Sequence, residues 1–557
     1  MAHGFTMMLI RTYALPKSTT NKLILGYGML LEAQIRMSVS PTKAITGFVL
    51  AAIQQIFDTP ESNQYYFLYY FNAVIGGIWN FAFGWGGYMS FKILNLIVIL
   101  TTYYFVQRLF KILNANKLWV FLGFMAVVLQ QNREYAGLFV FHHNFTSALF
   151  ATAAACVIME GLTQNNNKKI YLSGLILGIG TFLRLPNAVV SIMAAAVIIT
   201  DYAYNKDFKL LTKRGIICLS GFITGILAVL AFMALCKNHL EIFQKALFGD
   251  MTAVASNPKS SHNPNNLGIM YANNLKEVAI VATTTFLAFL IYKKFVIKNY
   301  ILFLISLPLL IGLIYPFYKI CYPTSIIYGY CYAIIIYSIV KNNKNRNLSL
   351  TCVVALAISV LQPIGSDFGL GNMGCFSIQI LLPLAFYIIK DVNTEKINDT
   401  TIKKRWQVTC LAIFTLFVAI QIHTIIKFGS FGYPDNRFKM FSMVKNNRAA
   451  NCLVSKQKAI QLDSLFAETP KYIKPGDYIL CYRFLSGIYF LTKTKPYGYN
   501  SIEVGNIYRA QKENLPNPVI IREIVHPYGI IDNFIKEKNY KIVYQKYGYE
   551  ILIPEYK

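Results

Sequence analysis

From residue 91 onward the chain consists of apolar runs of bilayer length separated by short polar turns. They lie at roughly 91 to 109, 117 to 131, 138 to 161, 169 to 184, 186 to 201, 214 to 236, 277 to 293, 299 to 317, 321 to 340, 349 to 363, 373 to 390 and 406 to 425. Hydrocarbon leaves no backbone polar group a partner outside the chain, so runs of this length and number predict a bundle of membrane-spanning helices. Composition agrees, with 55% hydrophobic and 14% charged residues among 557 and a mean hydropathy of +0.43. These are the values of a polytopic α-helical membrane protein, not of a soluble enzyme.

Basic residues gather in alternate turns: Arg108, Lys111 and Lys117; Lys168 and Lys169; Lys206, Lys209, Lys213 and Arg214; Lys293, Lys294 and Lys298; Lys341, Lys344 and Arg346; and Lys390, Lys396, Lys403, Lys404 and Arg405. The positive-inside rule makes that face cytoplasmic. A further run at 23 to 39, interrupted by Glu32 and Arg36, brings the count to about 12 to 13 transmembrane helices, with the N-terminus inside and the C-terminus outside.

Four regions follow: an N-terminal segment at 1–45 with that weaker span, a first outer loop at 46–90 with amphipathic helices, a transmembrane domain at 91–425, and a small C-terminal α/β extracytoplasmic domain at 426–557. In the last, YILCYRF and NPVIIREIV alternate as strands do, and YKIVYQKYGYEILIP reads as a hairpin. Tyr65, Tyr66, Tyr69, Tyr70, Trp79 and Trp85 in the first outer loop suit an interfacial aromatic belt. The opening MAHGFTMMLI lacks the basic leader and cleavage pattern of a signal peptide.

The net charge of +28 could suggest nucleic acid. The chain has no basic helical stripe and no recognition motif, so no nucleic-acid partner is expected and membrane lipid headgroups are. Eight of the ten cysteines lie in or beside apolar runs. Cys452 and Cys481 lie in the C-terminal segment, where a disulfide and two thiols are both open. No C-x-x-C, P-loop or dinucleotide fingerprint occurs. No metal site is expected, and a divalent cation is an open option rather than an implied cofactor.

The unusual polar groups stand at the outer ends of the spans, where ionisable side chains are costly unless they have partners or line a wet cavity. Asp58 and Glu61, in FDTPES, are the carboxylates of the first outer loop. Each could act as a general base, and each also suits a turn or helix start. Glu134 is a third candidate catalytic carboxylate, although beside Arg133 it can simply neutralise that charge. Arg184, in FLRLPN, can snorkel to headgroup level and clamp a phosphate, or be an ordinary helix-end arginine.

His142 and His143 are adjacent and on a helix diverge by about 100°, so only one is expected to face a given site. Asn144 offers hydrogen bonds to a polar ligand. Asp367 lies in the glycine-rich turn QPIGSDFGLGNMG, which could expose backbone N–H groups to an anion or only close a tight loop. The outer loop 237 to 276 could form a flap to which Asp250 and His262 contribute.

With these residues in place, the layout resembles the GT-C superfamily of polyprenyl-phosphate-sugar-dependent glycosyltransferases, which includes protein O-mannosyltransferases and the aminoarabinose transferase of lipid A. The resemblance runs from about residue 45 to the end: the long first outer loop, FKILNLIVILTTYYFVQRLF, the NFTSALF span, GLILGIGTFLRLPN, further spans and an outer C-terminal domain. It implies an integral membrane enzyme of a bacterial cytoplasmic (inner) membrane that moves a sugar from a polyprenyl-phosphate donor to a glycan, lipid or protein acceptor. It also implies an acidic base in the first loop and a basic phosphate site at the outer face. SPTKAITGF has no acidic residue where the family usually places one, leaving Asp58 nearest. Asn144, with Glu134 upstream, stands where a second acid is common, and Arg184 fits the family's basic span end. The alternatives are a non-catalytic lipid or polysaccharide transporter, for which paired broken helices and midplane charges are expected, and a polysaccharide polymerase or ligase using Arg133 and His262.

Overall fold

The computed structural model describes residues 44–135, 140–292, 323–341, 344–366, 369–389, 401–402, 405, 408–409, 418–421, 439–449, 452–481, 485–498, 515–524 and 529–555. The expected spans at 23 to 39 and 299 to 317, and most of that at 406 to 425, lie outside the described residues.

The chain enters through α1 (Ala44–Gln55) and a 3-10 segment (Pro60–Tyr69), then runs through α2 (Tyr70–Phe83), α3 (Gly87–Lys111), α4 (Lys117–Tyr135), α5 (His143–Thr163) and α6 (Asn167–Gly180). After a 3-10 corner come α7 (Ser191–Asn205), α8 (Phe208–Leu235), α9 (His239–Lys245), α10 (Met251–Ser256), α11 (Pro264–Ile291), α12 (Pro323–Lys341), α13 (Arg346–Leu361) and α14 (Leu381–Tyr387). Among the described residues, four helical stretches are long and apolar enough to cross a membrane: Pro60–Lys111, His143–Thr163, Leu185–Asn205 and Phe208–Leu235. Shorter apolar helices occupy Lys117–Gln131, Thr324–Val340 and Arg346–Leu361.

Helix α5 is the centre of the bundle. It is apolar on all sides and 89% of its membrane-length window is buried within the protein, which its ATAAAC run of small residues permits. The short turn Gln164–Asn166 returns the chain as α6, capped by the Asn166 carboxamide oxygen, which accepts from the Lys168 and Lys169 amides at 3.0 and 3.3 Å. Helix α8 is peripheral, with 28% of its window buried and Ile216, Leu219, Leu227 and Leu235 exposed. It packs on α6 through two facing glycine pairs, Gly174 with Gly178 and Gly221 with Gly225. A Cβ at Gly174 would lie 2.0 Å from the Cys218 carbonyl, and one at Gly221 would lie 2.1 Å from that of Tyr171. Small residues four apart on both helices let the backbones touch.

Two ion clusters tie together the helix ends carrying the basic turns. Glu160 of α5 receives Arg108 of α3 at 2.6 Å and Lys169 of α6 at 2.5 Å. Asp201 of α7 pairs with Arg214 of α8, and with Arg346 of α13 at 2.5 Å.

The C-terminal unit holds a two-stranded ribbon, β1 (Ser442–Met443) with β2 (Leu453–Val454), then α15 (Lys456–Glu468), β3 (Tyr478–Cys481), α16 (Gly487–Thr492), β4 (Lys495–Pro496), β5 (Val519–Glu523), α17 (Gly529–Glu537), β6 (Tyr540–Lys546) and β7 (Tyr549–Pro554). Its five-stranded sheet has the order β4-β3-β5-β7-β6, with β3 parallel to both neighbours and the β6–β7 hairpin antiparallel at the edge. Alternation decides which face each residue serves. Leu480, Ile520 and Leu552 pack with Ile531 and Phe534 of α17, while Ile479, Ile521 and Ile551 share the core that holds Leu462 and Leu465 of α15. Cys481 is a buried thiol, so the disulfide option with Cys452 is not taken.

This unit sits on α1. Helix α1, expected as part of an interfacial loop, is buried from Phe48 to Ile53 and crosses α16 so closely that a Cβ at Gly47 would stand 2.1 Å from the Gly487 nitrogen. Arg448 stacks 3.8 Å over the Phe490 ring and donates to the Phe490 carbonyl at 2.6 Å and to the Gln54 carboxamide oxygen. The expected aromatic belt is likewise divided: Trp85 is exposed, but Tyr66 and Tyr70 are fully buried. Their hydroxyls have polar partners inside, Asn72 and His239, so neither tyrosine needs water at its tip.

Candidate active site at the first outer loop

The 3-10 segment Pro60–Tyr69 is the hub of the candidate site, packed against α1, α2, α9 and the 3-10 turn Thr181–Leu183 that leads to Arg184. Pro60 opens it, fixing φ where a missing N–H costs nothing. Glu61 lies in its first turn, and its carboxylate accepts from the Asn238 side-chain Nδ2 at 3.1 Å. Asp58 lies three residues earlier on an exposed turn. Gln64 donates to the Asp250 carboxylate at 3.0 Å, so the loop expected as a flap rests on this segment.

His239, buried at the start of α9, takes part in a 2.9 Å hydrogen bond with the Tyr70 hydroxyl and lies between Phe57 and Phe67. Burial lowers its pKa, against the opposing pull of a hydrogen bond with the Ile56 backbone and the Glu61 charge.

The N-terminus of α5 forms the second wall. His142 is the N-cap, in extended conformation, and its Nδ1 accepts from the Asn144 amide at 3.3 Å. Because His142 is not helical, the expected 100° divergence does not apply. The two imidazoles lie with centroids 3.9 Å apart and their planes tilted by 33°, and His143 stacks on Tyr69 at 4.1 Å. Burial pushes the His142 imidazole down to about 3, with the Arg184 charge acting in the same direction. One turn into the helix, Thr146 donates to Asn72, and Asn187 donates to Ser147 at 2.8 Å. His142 Nε2, His143 Nδ1, Asn187 Oδ1 and Gln379 Oε1 are buried without a hydrogen-bond partner. Each such atom costs about 1–3 kcal/mol unless water or a ligand meets it.

Arg184 forms the third wall and is turned inward rather than snorkelling. It is 5% exposed and donates to the carbonyls of Gln362 and Ile364 at 2.8 and 2.9 Å. These carbonyls lie just past the end of α13, where helical partners run out and a cation is favoured. Gly365, at φ +79°, closes this loop on the corner, since a Cβ there would lie 2.6 Å from Pro186.

Asp367, two residues on, lies outside the described residues, as do the side chains of Arg133 and Glu134, whose backbone ends α4. His262 is partly buried in the turn before α11, its amide bonded to Ser260. Among the described residues, no three His, Cys, Asp or Glu side chains group to hold a metal.

The sequence reading missed Lys92. It is 2% exposed in the second turn of α3, with its amine 5.5 Å from the Tyr88 ring and the fully buried Asn95 one turn on. The Phe141 amide donates to the Phe91 carbonyl at 3.1 Å, which places this turn beside the strand of chain leading to His142. In sequence, Lys92 reads as an ordinary lysine at a span end. The neighbouring Asn95 was the signal, because two polar residues at i and i+3 share one helical face.

The chain is thus a bundle of apolar, membrane-length helices whose first segment, from α1 to Tyr69, is packed under a C-terminal α/β unit. The structure is similar to the crystal structure of ArnT from Cupriavidus metallidurans bound to undecaprenyl phosphate, with a TM-score of 0.50 and 9% sequence identity over 96% of this chain and 98% of that one. No family model matches the sequence, and no curated protein matches it.

Proposed function

We propose that the protein is an integral membrane glycosyltransferase that transfers a sugar from a polyprenyl-phosphate donor to a hydroxyl of a glycan, lipid or protein acceptor at the outer face of a bacterial inner membrane. The reading is carried by one observation: nearly the whole chain shares its fold with ArnT, whose crystal structure holds undecaprenyl phosphate. Glu61 is the preferred base, being anchored by Asn238, while Asp58 and Glu134 remain the other candidate carboxylates. The base takes the acceptor proton as the acceptor oxygen bonds to the sugar C1. The C1–O bond to phosphate breaks, and its electron pair leaves with the polyprenyl phosphate.

Arg184 and Lys92 supply positive charge for that leaving group. His142, His143 and Asn144 supply uncharged hydrogen-bonding groups for the sugar, and Arg133, Asp367 and His262 are assigned to substrate binding on the sequence alone. The test is thermal stability of the detergent-purified protein with undecaprenyl phosphate, for wild type, Lys92→Gln, Arg184→Lys and Arg184→Ala. Stabilisation of wild type that is reduced at least tenfold in lipid affinity in both Lys92→Gln and Arg184→Ala supports the phosphate site. Equal affinity in all four proteins overturns it. Loss of transfer in Glu61→Gln with retained lipid binding supports the base, and full transfer in that variant overturns it.

A further inference from the structure

One side chain joins the C-terminal unit to the carboxylate-bearing turn. Gln55 is the last residue of α1 and is 2% exposed. Its Nε2 donates to the Thr494 carbonyl at 2.8 Å, and its Oε1 accepts from the Thr59 hydroxyl at 3.0 Å and the Ser62 hydroxyl at 3.1 Å. Ser62 has one hydroxyl hydrogen, which it shares between Gln55 and the Thr59 carbonyl at 2.8 Å. The Thr59 amide in turn donates to the Gln55 carbonyl at 3.0 Å. Asp58 and Glu61 lie inside the turn that these bonds close.

We propose that Gln55 is a positioning residue that couples residues 487–496 of the C-terminal unit to the turn 56–62, and through it sets the placement of the Glu61 carboxylate. The chemistry is specific to a neutral amide. A carbonyl on one side requires a donor, two hydroxyls on the other require an acceptor, and the carboxamide presents both at one buried point. A carboxylate would keep the acceptor half and oppose the Thr494 carbonyl, whereas a leucine would lose both. The neighbouring Gln54 and Arg448 hold the same interface from the other side, so the two bodies stay in contact when Gln55 is changed. The functional half of this inference rests on the glycosyltransferase reading; the coupling half does not.

Hydrogen exchange of the full-length protein in detergent tests the coupling. In Gln55→Leu, exchange should rise at least tenfold in both 56–62 and 490–496, whereas Ser62→Ala should raise it in 56–62 alone. Unchanged exchange at 56–62 in Gln55→Leu overturns the coupling whether or not the protein is an enzyme. Kinetics test the positioning: Gln55→Leu should lower kcat at least tenfold with KM for the donor within twofold, because binding groups stay in place while the base shifts. Gln55→Glu, relative to wild type at each pH, should regain activity as the new carboxyl becomes protonated and can again donate to Thr494. Raised exchange with unchanged kcat overturns positioning. A wild type inactive with every donor overturns the glycosyltransferase reading and the positioning claim with it, and leaves the coupling decided by exchange.

Discussion

His142 and His239 are kept uncharged by burial, and that has a cost in acid. Both have pKa values below the ordinary histidine value in the folded protein. Stability from a group with a lowered folded pKa is complete above the unfolded pKa of about 6.5 and is lost as pH falls below it. Melting temperature in detergent should therefore hold steady above about pH 7 and drop towards pH 5, where His142 alone withdraws roughly 2 kcal/mol. The drop should shrink in His239→Asn with His142→Asn; a drop of equal size in that double variant would assign it to other groups. At this scale the sequence singles out His142 and His143 but misjudges their geometry, and it does not single out His239. Adjacent residues diverge only if both are helical, and the extended N-cap conformation of His142 is a choice of tertiary structure that spacing does not encode.

Among elements, the fastenings differ between one end of the bundle and its middle. The end carrying the basic turns is held by ions, and Asp201 is their most exposed liability because it is 2% exposed at its side chain and serves two arginines. Asp201→Asn should destabilise the protein by about 3–5 kcal/mol, since it leaves the buried Arg214 without its counter-charge; a melting temperature within a degree of wild type would refute this. The middle of the α6–α8 pair is held by backbone contact. Gly221→Val should force those helices apart and sharply reduce the yield of monodisperse protein, whereas Gly215→Val, where a Cβ meets nothing, should not. Hydropathy and basic turns place the ends of α5, α6 and α8 to within six residues, the largest miss being the start of α8 at Phe208 rather than 214. The two glycine pairs were equally visible as letters, but a hydropathy reading weighs glycine as neutral and so passes over the packing motif.

For the molecule as a whole, among the described residues most of the apolar helices and the alternating C-terminal strands could be read from the chain because both patterns are local, although the expected span at 373 to 390 holds only the short α14. The candidate site could be read only in part, since its walls come from residues near 61, 92, 142, 184 and 239 that no periodicity brings together. Lys92 was overlooked for that reason, and α1 was placed at the membrane surface because the partner that buries it lies at the other end of the sequence.

That distance shapes how the protein must be made. Gln55 and Thr494 are 439 residues apart. At synthesis rates of about 5–20 residues per second, the first outer segment waits on the order of 20 to 90 s before its closing partner has even been polymerised. Until then the face of α1 at Gly47 and the Gln55 carboxamide N–H lack the partners that cover them in the folded protein. A chain stalled or cut before about residue 490 lacks the Thr494 carbonyl, and so lacks the bond that ties the turn 56–62 to the C-terminal unit.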